Sequence, residues 1–90
     1  MLKHLNEDLR ENLLDGHVKG DDFRFIFKFD NGLGASVVRH KDSYDIELAV
    51  LEFDAIGNWT LTYDTPITDD VLGYLSFQDV DNHLQDIKSL

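Results

Sequence analysis

Ninety residues carry a formal net charge of −10 at pH 7, with 42% hydrophobic residues and no cysteine. That length and apolar fraction suit one packed core, so residues 1–90 are expected to form a single α+β domain. The missing cysteines exclude disulfides and thiolate chemistry, and no apolar run approaches the roughly 18 residues of a membrane helix.

In chain order, Leu2, Leu5, Leu9 and Leu13 recur at spacings of three and four. This predicts an amphipathic helix over residues 2–14, stopped near Gly16. The opening residues turn polar and acidic at once, which speaks against a signal peptide and for a cytoplasmic protein. Phe23, Phe25, Phe27 and Phe29 then alternate with Arg24, Ile26 and Lys28. Period two with this many aromatics predicts a strand buried on one face.

Asp30-Asn31-Gly32 follows, a hairpin signal because Asn and Gly tolerate positive φ. A three-residue loop with left-handed Gly32 pairs Phe27 with Ala35 and Phe25 with Val37. A two-residue turn would set Phe27 against Ser36, so the longer loop is expected. Residues 33–39 form the second strand, and residues 40–43 turn the chain. Tyr44 to Leu51 make the third strand, pairing Val37 with Ile46 and Ala35 with Leu48. After a turn at Gly57-Asn58, Trp59, Leu61 and Tyr63 are expected on the inward face of a fourth strand.

Pro66 ends the sheet, Thr68 can cap a short helical turn at Asp69-Asp70, and Ser76 can cap a last helix. That helix would bury Phe77, Val80, Leu84 and Ile87, with Asp79 in its first turn. The predicted fold is a four-stranded antiparallel meander flanked by an N-terminal helix and one or two C-terminal helices. The far face of the sheet would carry Arg24, Ile26, Lys28, Ser36, Val38, Asp45, Glu47, Thr60 and Thr62, with Ala49 and Leu51. That mixture suits a solvated face, and also an interface.

No catalytic or metal constellation stands out. Asp69 and Asp70 point apart if helical, and acids near a helix start are favoured without any chemistry. Asp79, Asp81 and His83 would scatter around a helix and lack the glycine of a calcium loop. His4, His17, His40 and His83 have no paired ligand spacing. Asp30-Asn31-Gly32-Leu33-Gly34 lacks the lysine of a phosphate loop and reads as a turn. Arg39-His40 beside Tyr44 could hold an anion, though ordinary turn polarity is the better explanation. Asp64, Thr65, Pro66 and Thr68 read as turn and capping residues. No cofactor and no metal are expected.

Charge is the sharper signal. Residues 1–41 hold seven acids and seven bases, whereas residues 42–90 hold eleven acids and only Lys88. Such a field repels nucleic acid and anionic membranes and attracts basic surfaces.

Phe29-Asp30-Asn31-Gly32-Leu33-Gly34-Ala35-Ser36-Val37-Val38-Arg39-His40 and Tyr63-Asp64-Thr65-Pro66-Ile67-Thr68-Asp69-Asp70-Val71-Leu72-Gly73-Tyr74-Leu75 stand out as wording. With Glu47–Leu51 they resemble a group of small proteins of tailed bacteriophages and prophages. The resemblance carries no activity; it implies a phage product in a bacterial cytoplasm. Charge and resemblance together predict a non-enzymatic phage accessory protein that binds a macromolecule. One form is an acidic nucleic-acid mimic that inhibits a basic host or phage protein. Asp45, Glu47, Asp69, Asp70, Asp79, Asp81 and Asp86 would then face the partner. The alternatives are a structural or regulatory homodimer joined through the far sheet face, and a small enzyme built on Tyr63–Asp70.

Overall fold

The phenylalanine alternation organises the molecule. In the computed structural model, which describes residues 1–40, 45–68 and 70–90, strand β2 (Asp22–Lys28) buries Phe23, Phe25 and Phe27 on one side. It lies second in a five-stranded antiparallel meander with β1 (Leu13–Lys19), β3 (Leu33–Arg39), β4 (Ile46–Phe53) and β5 (Trp59–Leu61), in the order of the chain. A short 3-10 turn (Leu2–His4) and helix α1 (Glu7–Arg10) precede the sheet, and helix α2 (Phe77–Lys88) follows it. The sheet thus has one strand more than the sequence predicts.

The β2–β3 hairpin pairs as expected, Phe27 with Ala35 and Phe25 with Val37, with Gly32 at φ +84°. Asn31 does two jobs there. Its Oδ1 accepts from Leu33 N at 3.0 Å, while its Nδ2 donates to Ile87 O at 2.8 Å and Leu90 O at 3.0 Å. The turn residue thereby satisfies carbonyls that the end of α2 leaves open. Gly32→Val is expected to destabilise the protein by about 1 kcal/mol or more, because a β-branched residue resists positive φ. An unchanged urea midpoint would reject that assignment.

Four expectations are corrected. The leucine repeat does not form one helix: Leu5 is extended at φ −93°, ψ 150°, and α1 is four residues long. The repeat still marks buried residues, since Leu5 and Leu9 lie in the core. Helix geometry is broken by a distant partner: Asp81 on α2 accepts hydrogen bonds from Asn6 N at 2.8 Å and Asn6 Nδ2 at 3.0 Å. Residues 13–19 then become β1 by pairing with β2, through a two-residue Gly20-Asp21 turn with Gly20 at φ +60°. Glycine at the first turn position suits such a hairpin. β1 is an edge strand, protected by Asp15, Lys19 and an irregular register between Leu13 and Asp15.

The β3–β4 register is the second correction: Val37 pairs with Leu48 and Ala35 with Val50, two residues further along β4 than predicted. A shift of two keeps every side chain on its face, so the core is unchanged. The predicted turn at 40–43 and Tyr44 fall largely outside the described residues.

Third, β5 faces the other way. Asp54 closes its turn, accepting from Ile56 N and Asn58 N while Gly57 stands at φ +94°. That turn levels Trp59 with Phe53 and Leu61 with Leu51. Both partners are an odd number of residues from core-facing Val50, so Trp59 and Leu61 belong to the outer face. Glu52 and Thr60 take the inner side.

Fourth, the described residues around Thr68–Val71 form no helix. The Thr68 hydroxyl accepts from Asp70 N at 3.0 Å, and Leu72 then bridges to Leu48 as a short continuation of the sheet. Asp69 lies outside the described residues.

Helix α2 conforms to its sequence. Ser76 and Asp79 form a reciprocal capping box, and Val80, Leu84 and Ile87 are buried. They join Leu5, Leu9, the β2 phenylalanines, Val37, Leu48 and Val50 in one core on the inner side of the sheet. No helix among the described residues is long and apolar enough to cross a membrane.

Candidate functional site

The acidic residues expected to face a partner do not share a surface. Asp79 and Asp86 ride on α2, which covers the inner side of the sheet, whereas Glu47 pairs level with Val38 and Arg24 on the outer side. Asp45 precedes β4, Asp70 is exposed in the segment before α2, and Asp69 lies outside the described residues. Asp79 is held below the ordinary carboxylate range, first by the Ser76 backbone N–H, then by the Ser76 hydroxyl and by His83. Its charge serves the helix start.

Asp81 leaves the set altogether. It is 5% exposed, and both carboxylate oxygens are taken by Asn6. Asp81→Asn puts an amide donor against the Asn6 donors and should cost about 1–3 kcal/mol, read as a lowered urea midpoint. Asp86→Asn, on an exposed position, should leave the midpoint unchanged. Equal effects would mean that the Asn6–Asp81 contact does not tie the N-terminal segment to α2. A combined Asp79, Asp81 and Asp86 substitution therefore tests folding as well as binding.

Among the described residues no cluster of three His, Asp or Glu side chains could hold a metal. In the Tyr63–Asp70 segment, Asp64, Thr65 and Pro66 border a shallow depression of about 390 Å³, but Tyr63 and Asp70 are not part of it. His4 stacks on Phe77, with ring centroids 4.5 Å apart. Arg39 and His40 border a depression of about 410 Å³ at the ends of β2 and β3, together with His17, Arg24 and Asp22. Bases from the balanced half of the chain thus collect at one end of the sheet.

The outer sheet face is the surface with a distinct character. Neither helix packs on it. Ile26 and Leu51 are buried there, apart from the main core, and Phe53 is half-buried. Phe53 fills the space in front of Gly34, and the Lys28 ammonium stands 5.4 Å from its ring centre. Beside it Trp59, Leu61 and Tyr63 succeed one another along and just past β5, 43%, 45% and 46% exposed. Arg24, Lys28 and Glu47 are exposed around this apolar centre.

No protein-family model, no curated protein and no solved structure matches this chain.

The far face is one of the interfaces the sequence suggests, but the row Trp59, Leu61 and Tyr63 is not expected on it, because these residues alternate like core residues. The signal that could have found it lies in the short turn after Phe53. Its length decides whether Trp59 joins Val50 inside or Phe53 outside, and the Asp54 side chain, accepting from Ile56 N and Asn58 N, fixes that length.

Proposed function

We propose that the protein is a non-enzymatic binding protein that acts through the outer face of its sheet. The observation that supports it is the row Trp59, Leu61, Tyr63 beside Phe53, over which neither helix packs. Two large aromatics and a leucine left half in water cost hydration free energy, on the order of 25 cal/mol per Å² of apolar surface. Aromatic centres with a charged rim are the usual composition of protein-binding surfaces. The role is the one expected of a phage-encoded accessory protein in a bacterial cytoplasm; the surface is different from the acidic one anticipated. An acidic mimic needs its charges on one side, and here the sheet separates Glu47 from Asp79 and Asp86.

Site-specific photo-crosslinking of the full chain in bacterial cells tests the assignment. A benzophenone side chain replacing Leu61 should give covalent adducts to protein, whereas the same group replacing Asp86 on α2 should give none. Adducts from position 86 with none from position 61 would move the binding surface to the acidic helical side. Silence at both would count against a macromolecular partner.

A further inference from the structure

We infer that the occupant of the outer face is a second copy of this chain, related by a two-fold axis running over β3 parallel to the strands. The inference rests on the outer-face reading and adds the partner's identity. Arg24, Val38 and Glu47 pair in register across β2, β3 and β4, so they form one row on the outer face. The row is charged oppositely at its two ends, with valine in the middle. Neighbouring strands lie about 4.8 Å apart, which puts Arg24 and Glu47 about 10 Å from one another across Val38.

Turning a second copy over about an axis along β3 lays β2 on the partner's β4 and β4 on the partner's β2. Arg24 then stands over the second copy's Glu47, Glu47 over its Arg24, and Val38 meets itself. Face-to-face sheets pack about 10 Å apart, a gap that an arginine and a glutamate side chain span together. In the next row Ile26, Ser36 and Ala49 are in register; Ile26 is already covered within its own subunit, and Ser36 meets itself. A row charged oppositely at its two ends about β3 is complementary to its own inverted copy.

Four strand spacings by seven residues give a face of about 19 by 20 Å, on the order of 400 Å² in projection. That is small for a permanent dimer, so association belongs in the micromolar range and must be sought there. Sedimentation equilibrium of the purified chain, from about 5 to about 500 µM at about 0.15 M salt, should show a reversible monomer–dimer equilibrium.

Arg24→Glu and Glu47→Arg should each weaken it by about tenfold or more, since each places like charges opposite one another twice. An equimolar mixture of the two variants should associate again, because every juxtaposition becomes opposite in sign. Circular dichroism should show both variants folded, as both positions are exposed.

A wild type that stays monomeric throughout, a dimer indifferent to both charge reversals, or a mixture that fails to recover would each overturn the inference. The failures are distinguishable. A monomeric chain whose position 61 still crosslinks to another protein keeps the outer face and loses the second copy. A dimer insensitive to both reversals, with adducts at position 86, loses the outer face itself.

Discussion

Phe27→Asp is expected to leave no cooperatively folded protein in water at room temperature. Phe27 is fully buried at the centre of the core formed by β2, β3, β4 and α2. Removing such a ring alone costs about 3–5 kcal/mol, and an unpaired carboxylate in its place costs several more. A 90-residue domain has a total stability of only about 5–13 kcal/mol. Far-UV circular dichroism and a urea titration read the outcome. Arg24→Ala, one of its outward neighbours on β2, should melt like the wild type. A Phe27→Asp chain with a wild-type-like transition would mean that the sheet is inside out.

Gly34→Ala should also be strongly destabilising, although it adds a single methyl group. A Cβ at this position would collide with the backbone carbonyl oxygen of Phe27 and stand 2.6 Å from Cε2 of Phe53. The ring can move, but the carbonyl belongs to the central hairpin and cannot without breaking strand pairing. Overpacking of this kind costs typically 1–3 kcal/mol, and a backbone obstacle puts the expected loss at about 3 kcal/mol. Gly73→Ala is the control, since nothing lies within 4 Å of its added Cβ. Similar urea midpoints for the two variants would refute the close approach.

The Gly34 prediction also reaches the binding face. Displacing Phe53 disturbs its pair Trp59, the single tryptophan, whose fluorescence should shift with the substitution even where folding persists.

Local chemistry was legible wherever a few neighbouring residues decide the outcome. The phenylalanine alternation sets which side of β2 is buried. Asn31 and Gly32 set the hairpin loop and hence the β2–β3 register. Ser76 and Asp79 start α2, and the spacing of Val80, Leu84 and Ile87 sets its buried stripe. The leucine repeat at the N-terminus identified Leu5 and Leu9 as core residues for the same reason, that periodicity reports burial.

Periodicity does not report what the backbone pairs with, and there tertiary structure decided. Residues 13–19 are almost wholly exposed, so they carry no alternation; they are a strand only because β2 offers hydrogen bonds. The predicted N-terminal helix is interrupted at Leu5 and Asn6, where Asn6 meets Asp81, 75 residues away in sequence, which no local pattern encodes. The same contact takes one acid off the exposed surface, and the sheet divides others between its two sides. Trp59 and Leu61 have the spacing of core residues yet face outward, because register with Phe53 and Leu51 outranks their hydrophobicity. Local sequence sets which residues favour burial and where the chain turns. Long-range backbone pairing decided which of those residues the core had room for, and it left Trp59, Leu61 and Tyr63 at the surface.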